Sequence, residues 1–400
     1  MSLSDTPRAN RLHIGLFGRR NSGKSSLLNA LTGQSVAAVS AVAGTTTDPV
    51  YKAMELHGLG PVVFVDTAGF DDVGELGGLR VGKTQDAARS IDIALLLFDA
   101  EDMEEELSWM KRLQQAKATV IPVISRTDAR PDGGQALAAA VQRATGAFPV
   151  LASARNRAGL DRLRSEMIRQ LPEDYEAASI TGDLCGPGDL VLLVMPQDIQ
   201  APKGRLILPQ VQTLRELLDK KCTAISCTTD RMEDTLAALA RPPRLIITDS
   251  QAFREVHGKK PRESLLTSFS VLFANYKGDI RYFMESAQKL PSLPPDAHIL
   301  IAEACTHRPL AEDIGRVKLP RLLRKRLGDG LRIEFASGRD FPGDLAGYDM
   351  VIHCGACMFN RRYVLCRVEE CRRQEKPMTN YGIAIASLLG ILGEVAFPRM

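Results

Sequence analysis

At 400 residues, with 44% hydrophobic and 25% charged side chains, the chain is too long for one compact core and too ordinary in composition for disorder, collagen or coiled coil. Fifty-one Lys and Arg against 48 Asp and Glu leave a formal +3, which argues against bulk electrostatic binding to nucleic acid or to a membrane surface. No stretch supplies the ~20 apolar residues of a spanning helix, and the polar start lacks the basic-then-apolar order of a signal peptide. A cytoplasmic chain is therefore expected, whose eight cysteines act as buried thiols, metal ligands or redox groups rather than as disulfides.

From Arg11 to about Leu171, apolar runs at Leu12–Phe17, Val62–Val65, Ile91–Phe98, Val120–Ile124 and Phe148–Leu151 alternate with helical stretches. That alternation predicts a doubly wound, mostly parallel α/β sheet over residues 1–172. A Gly- and acid-rich break at Pro172–Asp189 leads to a second α/β unit, 188–261, with strands at Leu190–Met195, Ala224–Cys227 and Leu245–Thr248 and helices around Gln210–Lys221 and Glu233–Ala240. It is small for a domain, so it is expected to need a partner surface, that is, a second copy of the chain. A polar, Lys-rich stretch at His257–Pro261 marks the next boundary. The third region, 265–400, carries extended runs at Ile299–Glu303 and Met350–His353 among helices.

Gly18-Arg-Arg-Asn-Ser-Gly23-Lys24-Ser25 fits G-x-x-x-x-G-K-S/T and sits between the first apolar run and a helical stretch beginning at Ser26, the strand–turn–helix context of a phosphate loop. Main-chain N–H groups from Gly18 through Ser26, with Asn21 and Ser22 inside the loop, wrap the phosphates; Lys24 reaches the β/γ oxygens and Ser25 holds Mg²⁺. Asp66-Thr67-Ala68-Gly69 ends a strand where Asp66 meets the Mg²⁺ shell and the Gly69 N–H meets the γ-phosphate. Thr46, in Gly44-Thr45-Thr46-Thr47-Asp48, is the expected second hydroxyl on Mg²⁺. Ser125-Arg126-Thr127-Asp128 and Ser153-Ala154-Arg155 follow two later strands.

This ordered set resembles the P-loop GTPases, in which the carboxylate matching Asp128 accepts from guanine N1–H and N2–H and the turn matching Ser153-Ala154 donates to O6. The family pattern at the base-reading strand is Asn-Lys-x-Asp, so Ser125 and Arg126 depart from it. Phe70 stands where small signalling GTPases carry a water-orienting Gln, which implies slow turnover. Asn21 with Gly44-Thr45-Thr46 resembles the potassium-stimulated GTPases of the tRNA-modification type, which place K⁺ where an arginine finger would act. No general base is assigned; Asp71, Asp72 and Glu75 are only nearby carboxylates.

Cys305-Thr306-His307 and His353-Cys354-Gly355-Ala356-Cys357 each follow a predicted strand, so adjacent strands would gather three thiols and two imidazoles. By residue type alone this suits either a closed Zn²⁺ site or a 4Fe-4S cluster with three thiolates and a replaceable fourth ligand, for which His307 and His353 are the candidates. Cys366 and Cys371 read as structural, and the basic stretch Arg321–Arg326 as a solvated helix face.

A P-loop GTPase followed by Cys-x-His and His-Cys-x-x-Cys is similar to the FeFe-hydrogenase maturation GTPases, the HydF family. Ala201–Gln210, Asp249-Ser-Gln251, Asp313–Lys318 and Asn380-Tyr-Gly382 carry the same resemblance. It implies a GTPase domain, a dimerisation domain and a domain holding a 4Fe-4S cluster through Cys305, Cys354 and Cys357. It further implies a scaffold that receives a transient diiron precursor from radical-SAM maturases and delivers it to apo FeFe-hydrogenase, as a homodimer or larger assembly. Nucleic acid and membrane are not expected partners. The competing expectation is a GTPase of RNA modification or ribosome assembly with a C-terminal zinc module, and beyond it a nucleotide switch with negligible hydrolysis.

Overall fold

A computed structural model describes residues 8–33, 50–56, 59–70, 75–171, 179–196, 206–304, 314–338, 340–357 and 359–399. The chain forms two compact units, Met1–Glu176 and Ala177–Met400.

The first unit is built on strands β1 (Leu12–Phe17), β2 (Val50–Leu56), β3 (Gly60–Asp66), β4 (Ile93–Phe98), β5 (Thr119–Ile124) and β6 (Val150–Leu151). They lie in the order β2-β3-β1-β4-β5-β6. Every pair is parallel except β2–β3. Helices α1 (Lys24–Thr32), α2 (Glu75–Ala88), α3 (Glu104–Gln115), α4 (Gln135–Thr145) and α5 (Leu160–Arg169) complete it. Strands β1 and β4 are buried along their whole length, which is why they read as unbroken apolar runs. Separate apolar cores cover the two faces of the sheet, one around Leu16, Leu28 and Leu95, the other around Phe17, Leu96 and Trp109.

The second unit holds two four-stranded, fully parallel sheets. One contains β7 (Leu190–Val194), β8 (Thr223–Cys227), β9 (Leu245–Thr248) and β10 (Leu265–Ser268), in the order β10-β9-β7-β8. The other contains β11 (His298–Glu303), β12 (Arg332–Ser337), β13 (Met350–His353) and β14 (Met378–Asn380), in the order β12-β11-β13-β14. The helices are α6 (Leu208–Asp219), α7 (Met232–Ala237), α8 (Phe253–Lys259), α9 (Phe269–Lys277), α10 (Ile280–Lys289), α11 (Leu319–Leu327), α12 (Arg361–Arg373) and α13 (Tyr381–Leu388). Four of them begin on side-chain caps: Ser268, Asp279, Asn360 and Asn380 each accept the N–H three residues on and so satisfy an amide that the helix itself leaves free.

The boundary expected at 261–265 falls inside the first of these sheets. Leu265 pairs with Leu245 in a parallel ladder, so the sheet needs a strand beyond that point. The chain end returns to the same edge, where Ala396 donates its N–H to the Leu266 carbonyl (2.7 Å). One apolar cluster joins Leu192, Val194 and Ile246 of the first sheet to Ile299, Ile301 and Ile352 of the second. The two sheets thus share a core, while the other face of the first is covered by a second cluster around Leu193, Ile247 and Phe273; the shared core offsets the small size of the middle segment.

A shared core makes a definite prediction. Leu192→Ala, at a fully buried position, should cost about 2–5 kcal/mol and should lower hydrogen-exchange protection in β11 as well as in β7. Wild-type protection of β11 in that variant would show that the sheets unfold independently.

Candidate functional sites

The phosphate loop leaves β1 at Phe17 and enters α1 at Lys24. Asn21 and Gly23 both take left-handed backbone angles, φ 58° and 92°, and these bend the loop into a cradle. Lys24 is buried and folds back over the loop, donating to the carbonyls of Gly18 (2.9 Å) and Arg19 (2.7 Å). Its ammonium thereby lies within the curve of the loop. Ser22 is buried within the loop, and Ser26 lies half-buried in the first turn of α1.

Ser25 donates its hydroxyl to Asp66 Oδ2 (2.6 Å). Burial pushes the Asp66 carboxyl up, against the Ser25 hydrogen bond and the Lys24 charge, which hold it down. Its second oxygen, Oδ1, is buried and has no hydrogen-bond partner among the described residues. A hydroxyl and a carboxylate with an unused oxygen are the hard donors that Mg²⁺ takes directly or through its waters, so the residues present fit that ion. Thr46 lies outside the described residues, as do Asp71 and Asp72.

Gly69 packs directly on the phosphate loop. A Cβ there would stand 2.6 Å from the Arg20 nitrogen, so only glycine lets the β3 loop approach so closely. Phe70 is 7% exposed and stacks on Trp109 at 5.5 Å, which itself stacks on Phe17. The side chain that replaces the water-orienting Gln is therefore a core residue.

Asp128 and Ser153 meet beyond the ends of β5 and β6, where the Ser153 hydroxyl donates to Asp128 Oδ1 (2.5 Å). That bond, with the charges of Arg155 and Arg126 nearby, holds the exposed Asp128 carboxyl below its ordinary range. Ala154 is half-buried beside Ser153. Ser125 turns inward: its N–H and hydroxyl both donate to the Phe98 carbonyl, at 3.2 and 3.5 Å. Arg126 takes φ 55° and stands 4.0 Å from Asp99. The two departures from the family pattern thus support the loop from below and flank it from outside.

In the second unit, the loop after β13 carries Cys354 and Cys357. Cys354 Sγ accepts N–H groups from Ala304 (3.0 Å) and Ala356 (3.4 Å). Burial pushes the Cys354 thiol up to about 11, and the two amides act in the opposite sense. Ala304 is the residue before Cys305; Cys305 and His307 lie outside the described residues. Among the described residues no group of three or more metal-ligating side chains is present.

His353 differs from expectation. It is 1% exposed, with Nδ1 2.7 Å from the Cys354 carbonyl and Nε2 2.7 Å from an Arg367 guanidinium nitrogen. A carbonyl only accepts and a guanidinium only donates, so Nδ1 carries the proton and Nε2 accepts from Arg367. Burial and the Arg367 charge push His353 down to about 3, so it is neutral at any physiological pH. Both nitrogens are engaged within the protein, Nδ1 by the Cys354 carbonyl and Nε2 by Arg367 of α12.

Two buried cations went unread in the sequence, Lys277 at the end of α9 and Arg367 in α12. A single Lys closing the apolar run Phe269–Ala274 is the signal for the first. Cys366 and Cys371 lie on α12, Cys371 fully buried with its thiol pushed up to about 12.

Three family models match the chain. A 50S ribosome-binding GTPase model matches residues 13–126. The hydrogen maturase F dimerization domain matches 180–278 and the hydrogen maturase F tetramerization domain 281–396. The chain belongs to the hydrogen maturase F family. The first of its two domain models takes in β7–β10 and the second β11–β14.

The N-terminal unit is a GTPase that hydrolyses GTP. Its relatives include GTPase Der of Wolinella succinogenes, 40% identical over 126 residues, which are 30% of this chain and 26% of that protein. The tRNA modification GTPase MnmE of Cupriavidus metallidurans is 33% identical over 178 residues, 40% of this chain and 37% of that protein. The chain thus spans about a quarter to a third of the length of these relatives. Among solved structures, Era in complex with MgGDPNP and 16S ribosomal RNA nucleotides aligns with 54% of this chain and 92% of its own, at 20% identity and a TM-score of 0.37. No helix among the described residues is long and apolar enough to cross a membrane.

Two substitutions test this geometry. Gly69→Ala should drive the β3 loop off Arg20 and reduce GTP hydrolysis by at least tenfold while GDP binding, measured by fluorescence, stays within a few-fold; wild-type turnover would contradict the close approach. Asp128→Asn replaces a double acceptor by one donor and one acceptor, so binding should shift from guanine to xanthine nucleotides. Unchanged guanine preference would show that Asp128 does not read the base.

Proposed function

We propose that the chain is a GTP-hydrolysing scaffold and carrier that holds a 4Fe-4S cluster and delivers a diiron precursor to apo FeFe-hydrogenase, with radical-SAM maturases upstream. Membership of the hydrogen maturase F family supports the hydrogenase-maturation role. The observation that carries the cluster reading is the N–H of Ala304 on Cys354 Sγ: the residue before Cys305 sits against the first thiol of Cys-x-x-Cys. Cys305, Cys354 and Cys357 are the three proposed thiolate ligands. With His353 committed to Arg367, His307 is the remaining candidate for an exchangeable fourth position. Such a position suits a carrier, which must hold its cargo reversibly.

In the GTPase unit, Lys24, Ser25, Thr46, Asp66 and Gly69 serve the phosphates and Mg²⁺, and Asp128, Ser153 and Ala154 the base. Asn21, exposed in the loop at φ 58°, holds K⁺ where it offsets charge developing in the transition state. Phe70 supplies no polar group to the attacking water, in keeping with slow intrinsic turnover. The matched domains bear the names dimerization and tetramerization, and β8, none of whose side chains is fully buried, is the sheet edge opposite the one covered by the chain end. A second copy pairing there would complete the assembly.

The experiment is iron content and EPR of anaerobically reconstituted variants. Cys305→Ala, Cys354→Ala and Cys357→Ala should each lose most of the iron, whereas Cys366→Ala and Cys371→Ala keep it. Lys24→Ala should abolish hydrolysis with iron unchanged. Full iron in any of the first three overturns the ligand assignment. Hydrolysis should also be faster in potassium than in sodium at equal ionic strength, a difference that Asn21→Ala removes; equal wild-type rates would refute the cation role.

A further inference from the structure

The loop that carries Cys354 and Cys357 is built around a lysine. Lys277, the last residue of α9, is 1% exposed. Its ammonium donates to three carbonyls of that loop and its continuation: Ala356 (3.0 Å), Cys357 (3.4 Å) and Phe359 (2.7 Å). Three donors are all an ammonium has, and all three are spent on main chain within four residues. The ammonium also lies over the Phe273 ring, 5.7 Å from its centroid. Gly278 fixes the chain beyond, since a Cβ there would meet the Phe283 ring at 2.5 Å.

Carbonyl dipoles solvate a buried ammonium without cancelling its charge, and burying an uncancelled charge is costly. Among the described residues no carboxylate forms an ion pair with Lys277. The carbonyls that hold it belong to the loop of Cys354 and Cys357, so the ammonium lies beside that pair of cysteines. Ala356, at φ 51°, is held in a strained left-handed conformation within the same bonded loop.

We propose that Lys277 is a positioning residue for the cluster: it draws the Cys354–Cys357 loop together through its carbonyls and sets a fixed positive charge beside the two thiolates. The inference rests on the cluster reading above. A thiolate-ligated cluster is anionic and gains further negative charge on reduction, so a buried cation beside it favours the reduced form and slows loss of the cluster. The N–H groups of Ala304 and Ala356 on Cys354 Sγ act in the same direction. Arg367, buried against His353 and the Gly338 carbonyl, holds the other side of the loop by a different route, through the imidazole.

The test compares full-length wild type, Lys277→Gln and Lys277→Arg after anaerobic reconstitution with iron and sulfide. Lys277→Gln keeps a donor for the carbonyls and removes the charge; Lys277→Arg keeps the charge. The readouts are the midpoint potential from EPR-monitored titration and the rate of iron loss to a chelator. The expected result is a lower potential and several-fold faster iron loss in Lys277→Gln, with Lys277→Arg close to wild type. If Lys277→Gln fails to load but Lys277→Arg loads, the charge is required and the proposal holds. A Lys277→Gln protein with wild-type potential and iron retention overturns it, as does equal impairment of both variants. A wild-type chain that takes up no iron overturns the cluster reading and this inference with it, an outcome distinct from either.

Discussion

Parallel strand pairing is the constraint on which both sites depend. Parallel neighbours end on the same edge of a sheet, so the loops that follow them meet there and irregular backbone gathers at one place. In the first unit this brings Gly18 after β1, Asp66 at the end of β3, Asp128 after β5 and Ser153 after β6 to one edge. In the second unit Ala302 of β11 lies opposite His353 of β13, and just beyond them Ala304, two residues on, donates its N–H to Cys354, one residue on. Without that register, a thiol at 354 and the chain at 304 would have no reason to meet.

The two sites also solve one electrostatic problem in the same manner. Each places a lysine ammonium where little water reaches it, and each solvates that ammonium with carbonyls of the loop it organises: Lys24 with Gly18 and Arg19, Lys277 with Ala356, Cys357 and Phe359. Carbonyl solvation leaves the positive charge in place, and the charge then favours an anion alongside. At Lys24 the proposed anion is the phosphate chain of GTP. At Lys277 the proposed anion is the thiolate-ligated cluster. In both, the lysine shapes its loop as well as its ligand.

What the sequence made legible was whatever sits close together along the chain. The phosphate loop, Asp66 through Gly69, Asp128 and Cys354-x-x-Cys357 are short motifs whose spacing states their chemistry. Buried central strands such as β4 and β7 were legible as apolar runs. Among the edge strands, β6 and β8 were legible but β2 and β12 were not: β2 carries Lys52 and Glu55, and β12 alternates Arg332 and Glu334 with apolar residues, because one side of each is wet. Strand β14, three residues long, is too short to show a period. The roles of His353, Arg367 and Lys277 were hidden for a different reason. Each depends on a partner 14 to 82 residues away, and nothing local marks a His whose two nitrogens are already taken or a Lys that closes a remote loop. The polar stretch near 261, read as a boundary, is the end of α8 and the turn that leads from it into β10, which pairs with β9 in the same sheet.

The central claim is that the loops after β11 and β13 form a site for iron and not for zinc. Metal and acid-labile sulfide analysis of the anaerobically purified full-length protein tests it most directly, together with its visible spectrum. The account predicts a brown protein with iron and sulfide in equal amounts, close to four of each per chain for a 4Fe-4S cluster. A colourless protein with one zinc per chain and no sulfide would contradict it.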